Sequence, residues 1–183
     1  MPWEWARPRL MPLLAGPYLG HDPFVTVVGE PGCAVIFGVE IQRTFVLVDR
    51  PVAERWETSD DQRDAVARQN LDRRAARLEA ADLIHGTLSG RIVRILERVA
   101  WSSSLVLAPK HLVRLFGGDD QIIGTPRRET IIAASIDTPT SVFAHILVDY
   151  EYKAAYPLLL DPFLLEEGKL SWQSDDEDRA WTS

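Results

Sequence analysis

The chain of 183 residues contains one cysteine, Cys33, and therefore can form no intramolecular disulfide and no metal site built from several cysteines. No uncharged apolar run approaches the roughly 20 residues needed to cross a bilayer. Pro12 and Pro17 interrupt the apolar stretch near the N-terminus, and no small-x-small cleavage site of a signal peptide follows them. These absences predict a soluble protein of a reducing cytoplasm, without membrane association.

The motifs of common cofactor and nucleophile sites are also missing. The four histidines form no H-E-x-x-H or other short metal-ligand spacing. There is no phosphate-binding G-K-[ST] loop, and Ser102, Ser103 and Ser104 lack a G-x-S-x-G elbow. The apolar neighbours of Cys33 favour a buried structural thiol over a nucleophile. The sequence therefore predicts no metal and no cofactor.

The net charge of −7 is spread unevenly. It is −2 over residues 1–49, +3 over residues 50–114 and −8 over residues 115–183. A net charge of +3 on the middle segment is far below the basic footprint of a nucleic-acid-binding domain, so nucleic acid is not expected as a partner. A basic middle and an acidic end can instead steer the approach of other partners.

The length and the 46% apolar fraction are those of one globular domain. Residues 1–23 are rich in Pro, Trp and Arg without a clear period, and we expect them to wrap over the surface of the core with Trp3 and Trp5 as anchors. Residues 24–173 form the predicted α+β domain. Residues 174–183 are expected to be a flexible acidic tail.

Two long helices are predicted. Ser59 and Gln62 form a capping box at the start of a helix over residues 59–84, which Gly86 or Gly90 ends. An apolar stripe at helical spacing predicts a second helix over residues 138–155.

Shorter elements are predicted around these helices. Residues 91–101 fit either a helix or a strand, and their β-branched content favours a strand. The remaining predictions are strands at 24–28, 33–41 and 44–49, a turn at 30–32, and a helix that starts near Pro109. The predicted fold class is a single α+β domain in which the two main helices cover a mostly antiparallel sheet.

The densest polar stretch is GGDDQIIGTPRRETIIAAS, residues 117–135. Ile122 and Ile123 enter a predicted strand, residues 125–128 form a turn, and ETIIAAS returns as a second strand. This stretch is therefore predicted to be a β-hairpin with charged residues at its ends.

The candidate partner- or ligand-binding residues of this hairpin are Asp119, Asp120, Arg127 and Arg128. Adjacent residues of a strand point in opposite directions, so at most one of the two arginines can pair with Asp119 or Asp120 across the hairpin. The other arginine is available to hold a carboxylate or a phosphate through its planar guanidinium. The sequence leaves open whether these residues bind a ligand or only stabilise the hairpin.

Three blocks of sequence, in order, resemble the YtpQ-like family of bacterial proteins of unknown function. They are FVLVDRPVAERWETSDDQRDAVARQNLDRR, SSLVLAPKHLVRLFGGDDQIIGTPRRETIIAAS and YPLLLDPFLLEEGKLSW, and the resemblance covers about residues 35–172. Asn70-Leu71 matches the family's Asn-Leu, and Arg128-Glu129 matches the end of its Pro-Ser-Arg-Asp turn, whereas Arg127 departs from it. The resemblance implies an α+β fold and no particular reaction, and it directs attention to Arg128.

The sequence supports three hypotheses about function. The leading hypothesis is a small cytoplasmic, non-catalytic binding or adaptor protein that recognises another protein. The alternative is an enzyme in which Arg128 holds an anionic small molecule beside Asp119, Asp120 or His145, and a concave pocket joining those groups would favour it. A third possibility is a homodimer that forms through a sheet edge.

Overall fold

The computed structural model describes residues 1–16, 26–29, 33–42, 44–152, 154, 157–158 and 161–172. These residues form helices and antiparallel sheets, which confirms the predicted α+β class, but the strands are divided between two sheets instead of one. The helices are α1 (Trp3–Ala6), α2 (Arg50–Glu54), α3 (Asp60–Ala75), α4 (Pro109–Phe116) and α5 (Thr140–Glu151). The strands are β1 (Leu10–Leu14), β2 (Thr26–Gly29), β3 (Cys33–Ile41), β4 (Thr44–Leu47), β5 (Ile84–Leu88), β6 (Arg91–Glu97), β7 (Gln121–Arg127), β8 (Thr130–Ser135), β9 (Phe163–Glu166) and β10 (Lys169–Trp172). Short 3-10 helices span Arg7–Arg9, Ala80–Asp82 and Ser102–Leu107.

The first sheet is built around β3, which pairs with β1 along one edge and with β2 and β4 along the other. All five residues of β1 are buried, and α3 packs on this strand. The expectation that the N-terminal segment wraps over the surface is therefore wrong for residues 10–14. LMPLL is a continuous apolar run, as is typical of a strand covered on both faces, and its proline is tolerated because β1 is an edge strand.

Helix α3 begins where the sequence predicts, since the Ser59 hydroxyl accepts a hydrogen bond of 3.2 Å from the backbone N–H of Gln62. It ends at Ala75, so the prediction that the helix continues to residue 84 is wrong. Arg114 of α4 donates to the carbonyls of Ala75 and Leu78 at 2.8 and 2.7 Å, and a cation on the last carbonyls stabilises a helix end at this point. Residue 84, the last of the predicted helix, instead begins β5.

The second sheet has the strand order β10-β9-β7-β8-β6-β5. The predicted strand near residue 91 is confirmed as β6. The predicted hairpin of residues 117–135 is also present, but its turn lies at residues 128–129 and not at 125–128. A register shift between Gly124 and Arg127 accommodates Pro126 inside β7, because a proline lacks the N–H that a regular ladder needs.

Helices cover both faces of the second sheet. On one face, Phe143, Ile146 and Leu147 of α5 pack on apolar residues of β6, β7 and β8. The predicted helix over residues 138–155 is thus confirmed, with its described helical residues ending at Glu151. On the other face lie α4 and the 3-10 helix Ser102–Leu107, whose apolar residues join the larger core. Helix α4 starts at Pro109 as predicted and ends at Gly117, which has a left-handed φ of 78°.

Some predictions lie outside the described residues. These are the turn at 30–32, the domain boundary at residue 23, the side chain of Cys33 and the acidic tail 174–183.

Candidate functional site

Strand β7 separates the acidic and basic residues of the predicted site. Asp119 and Asp120 precede the strand, whereas Arg127 is its last residue and Arg128 follows in the turn. Seven residues at about 3.3 Å each place the two groups about 20 Å apart. One small molecule therefore cannot contact both the acids and the arginines. His145 is exposed on α5, where its Nδ1 lies 2.6 Å from the carbonyl oxygen of Ser141.

The two acidic residues stabilise the loops around the start of β7. A carboxylate oxygen of Asp119 accepts a hydrogen bond of 2.8 Å from the backbone N–H of Gly168, in the turn between β9 and β10. Asp120 adopts a left-handed backbone conformation with φ 60°, and its carbonyl accepts from the N–H of Ile136 at 2.9 Å. Both residues thus have structural partners in this part of the fold.

Arg127 is held by acidic and polar neighbours. Its Nη2 lies 3.3 Å from an oxygen of Glu97, and its Nε lies 2.8 Å from the hydroxyl of Thr130 and 3.4 Å from an oxygen of Glu129. The guanidinium also lies 5.7 Å from the ring centre of Tyr150, within cation–π range. These contacts make Arg127 part of an ion-pair network on the sheet. Its acidic partners are Glu97 and Glu129, and not Asp119 or Asp120 as the sequence suggested.

A cavity of about 400 Å³ adjoins this network, lined by Leu88, Ser89, Arg127, Ile146, Asp149 and Tyr150. Burial raises the pKa of the Tyr150 phenol, the negative charge of Glu97 raises it further, and Arg127 opposes the shift. The phenol is therefore a neutral hydrogen-bond donor at physiological pH. The cavity includes Arg127 but none of Asp119, Asp120 and His145.

Arg128 connects the hairpin turn to the opposite face of the sheet. Its carbonyl oxygen accepts a hydrogen bond of 3.1 Å from the backbone N–H of Ser103, in the 3-10 helix Ser102–Leu107. The residue is partly buried. This hydrogen bond is made by the backbone of Arg128, so it does not depend on the identity of the side chain.

A second cavity, of about 420 Å³, lies at the C-terminal end of α3 and concentrates positive charge. We name it the arginine groove, and it is lined by Pro8, Asn70, Arg73, Arg74, Arg77 and Trp101. Asn70, Arg73 and Arg74 have the spacing i, i+3 and i+4 on one face of α3, and Arg77 follows in the turn beyond the helix end at Ala75. Pro8 comes from the N-terminal segment and Trp101 precedes the 3-10 helix Ser102–Leu107.

Asn70 forms a fixed wall of the arginine groove. Its side-chain amide is buried and donates to the carbonyl oxygens of Arg7 and Leu10, both at 2.8 Å. Its own side-chain oxygen accepts a hydrogen bond from Arg73. Asn70 therefore holds the N-terminal segment against α3 and orients Arg73 in the groove.

The arginines of the groove are incompletely neutralised. Arg74 forms an ion pair with Glu40 of β3, and Arg73 bonds to the neutral Asn70. Arg77 is exposed, and within the described residues no acidic side chain lies in ion-pair distance of Arg73 or Arg77. Three guanidinium groups and one carboxylate leave about two positive charges at the groove. Arginine presents a rigid fork of donors that fits carboxylate and phosphate oxygens.

The sequence contains a signal for the positive charge of this groove. Elsewhere in α3, Arg68 has an acid four residues earlier, and Arg68 and Asp64 form an ion pair of 2.7 Å. Four residues before Arg73, Arg74 and Arg77 stand glutamine, asparagine and arginine. A run of arginines without acids at helical spacing indicates positive charge that the helix itself does not neutralise.

A further cluster of charges joins α3 to α4. Asp72 lies 2.7 Å from Nζ of Lys110 and 2.8 Å from Nε2 of His111. Hydrogen bonds from Lys110 and then from His111 lower the pKa of the Asp72 carboxyl. His111 is buried, so this cluster stabilises the packing of the two helices beside the arginine groove.

We expect Asp72→Asn to make the free energy of unfolding less sensitive to acid. A carboxyl whose pKa is lower in the folded than in the unfolded chain stabilises the fold above its ordinary pKa of 3.8. That stabilisation is lost as the pH falls through the folded pKa. Urea unfolding of the wild type at several pH values between neutral and strongly acidic should therefore show a steeper loss than unfolding of Asp72→Asn. Parallel curves would contradict this, and Asp161→Asn, at an exposed position, is the control.

Two kinds of feature are absent from the described residues. No group of three or more His, Cys, Asp and Glu side chains within them is placed to hold a metal ion. No helix within the described ranges has both the length and the apolar character needed to cross a membrane.

Comparisons of this chain with protein-family models, curated proteins and solved structures give no match. The resemblance to the YtpQ-like family therefore remains a prediction from the sequence.

Proposed function

We propose that this protein is a small, non-catalytic binding or adaptor protein of the cytoplasm, and that it recognises an acidic segment of another protein in the arginine groove. The observation that carries the proposal is the convergence of Arg73, Arg74 and Arg77 on one cavity where, within the described residues, Arg74 alone has a carboxylate partner. Carboxylates of a bound segment would complete the pairing of the other two arginines.

The electrostatic repulsion between these arginines supports a ligand-binding role. Arg73 and Arg77 carry like charges on one groove, and such charges repel each other. A bound anionic segment would offset this repulsion, and Trp101, which is buried, forms part of the groove lining beside the charges.

The charge of the rest of the molecule favours an acidic protein segment over a nucleic acid. The whole chain has a net charge of −7, and residues 115–183 account for −8. A long phosphate backbone would extend beyond the groove into this negative field. A segment with two or three carboxylates needs no contact outside the groove.

The residues of the groove suit binding more than proton transfer. Arginine stays protonated at all physiological pH values, and asparagine and tryptophan do not titrate in that range. The groove thus supplies fixed charges and hydrogen-bond donors. The single cysteine of the chain supports the cytoplasmic location, and the relationship to the YtpQ-like family is part of the same proposal.

We expect Arg77→Glu to weaken the binding of an acidic peptide by about tenfold or more, because it replaces an attraction with a repulsion at an exposed arginine of the groove. The probe is a fluorescein-labelled peptide of eight residues in which Glu alternates with Ser, and the measurement is fluorescence anisotropy at low and at physiological salt. A pull-down from the lysate of the native host, with wild type and Arg77→Glu as parallel baits, identifies the natural partner.

The matched control is Arg55→Glu, an equal change of charge at an exposed arginine that follows α2. Arg55 lies near the opposite end of α3, since Arg63 bonds to the carbonyl of Ala53 in α2. Melting temperatures establish that each variant is folded. Equal affinities of wild type and Arg77→Glu, or an equal loss in Arg55→Glu, would overturn the proposal.

A further inference from the structure

Strand β5 is an open edge of the second sheet. It pairs with β6 on one side, and no described strand lies on its other side. Most of its residues are exposed, and two large apolar side chains of this hairpin face solvent: Ile84 is 48% exposed and Ile92, on β6, is 76% exposed. An open edge presents backbone N–H and C=O groups that can pair with another strand.

The turn between β5 and β6 determines which of these backbone groups are open. Ser89 and Gly90 have φ angles of 50° and 75°, and Leu88 pairs with Arg91, so the connection is a two-residue turn of the I′ type. The turn makes Leu88 and Arg91 a hydrogen-bonded pair, and such pairs alternate along an antiparallel ladder. Gly86 and Ile84 therefore also bond to β6, and the N–H and C=O groups of His85 and Thr87 point outward.

We propose that β5 pairs antiparallel with β5 of a second copy of this chain, about a two-fold axis at Gly86. In this register Ile84 lies opposite Leu88 of the second copy, so apolar residues meet on the face that carries α5. His85 and Thr87 exchange the outward hydrogen bonds across the axis. A symmetric interface of this kind closes on itself and gives a dimer.

Charge favours a second copy as the occupant of this edge. The strand IHGTL contains none of the Lys, Glu, Asp or Pro residues that commonly protect an edge from pairing. The exposed Asp82 precedes the strand and the exposed Arg91 follows its turn, so the antiparallel register brings Asp82 of each copy near Arg91 of the other. The edge is thus complementary to itself both in its apolar residues and at its charged ends.

The size of the interface sets the expected affinity. Five paired residues and the flanking Ile92 bury less than the roughly 1,200 Å² of a standard stable interface, so the dimer is expected to dissociate in the micromolar range. Association should therefore depend on concentration.

Disulfide trapping tests the register directly. Gly86 has no positive φ, and a Cβ built there would lie 3.9 Å from its nearest neighbour, Cγ2 of Val93, so a cysteine fits. On the two-fold axis, residue 86 faces its copy as a non-hydrogen-bonded pair with Cα atoms about 4.5 Å apart, a separation that a disulfide spans. In a Cys33→Ser background, Gly86→Cys should form a covalent dimer under mild oxidation. Ile92→Cys is more exposed but lies one strand from the axis, and should form little.

Sedimentation experiments test the same edge without cysteines. Thr87→Pro removes an outward N–H without removing a hydrogen bond to β6. It should therefore raise the dissociation constant of the dimer at least tenfold. Thr87→Val keeps the N–H and should dimerise like the wild type. A monomeric wild type at several hundred micromolar, unchanged association of Thr87→Pro, or equal trapping of Gly86→Cys and Ile92→Cys would each overturn the proposal.

Discussion

Gly124→Val is expected to lower the free energy of unfolding by about 3 kcal/mol, because it overfills a well-packed part of the core. A Cβ at this position of β7 would lie 2.3 Å from Cδ2 of Leu147 and 3.0 Å from Cε1 of Phe143. Both of these α5 residues are buried, so the helix has to shift away from the sheet to admit the new side chain. Urea unfolding followed by circular dichroism measures the loss.

The control for this prediction is the same substitution at Gly86 of β5. There the Cβ would have its nearest neighbour at 3.9 Å, in ordinary van der Waals contact. Since valine favours the extended conformation of a strand, Gly86→Val should change the stability by less than about 0.5 kcal/mol or raise it slightly. If Gly124→Val lost as little free energy of unfolding as Gly86→Val, the contact between Gly124 and α5 would not be tight.

Asn70→Leu is expected to destabilise the protein by about 3 kcal/mol, although leucine is apolar and close to asparagine in size. The substitution removes both donors from the carbonyls of Arg7 and Leu10 and the acceptor from Arg73. Buried acceptors without a donor cost about 1–3 kcal/mol each, less whatever water can replace. The N-terminal segment should also become accessible to proteolysis, which limited trypsin digestion after Arg9 would detect.

Gln69→Leu is the matched control, because its side chain is exposed on the adjacent position of the same helix. It should change the free energy of unfolding by less than about 0.5 kcal/mol. If Asn70→Leu were as stable as this control, the hydrogen bonds to the two carbonyls would not be what holds β1 against α3.

The elements that the sequence predicts correctly depend on local interactions. The Ser59 cap, the start of α4 at Pro109 and its end at Gly117 each follow from a few adjacent residues. The end of α3 is different, because Arg114 binds its last carbonyls from a helix far along the chain. The burial of residues 10–14 and the inclusion of Pro126 in β7 likewise depend on strand pairing that no local pattern specifies.

The candidate site likewise has one property that follows from adjacent residues and one that depends on distant parts of the chain. The charge of the arginine groove is local, since Arg73, Arg74 and Arg77 have no acid three or four residues away. Its shape is not, because Pro8 and Trp101 reach the cavity from distant parts of the chain. For the stretch 117–135, the sequence indicates a hairpin correctly but does not reveal that a seven-residue strand separates Asp119 from Arg127.

The hydrogen bonds of Asn70 to Arg7 and Leu10 span 63 and 60 residues, and this distance has a consequence for synthesis on the ribosome. At 5–20 residues per second, roughly 3 to 12 seconds separate the translation of the first strand from that of the helix residue that secures it. During this interval LMPLL is an apolar segment whose covering helix does not yet exist. Nascent chains of this protein should therefore expose a binding site for chaperones near the N-terminus, and slow translation of the segment that encodes α3 should favour aggregation.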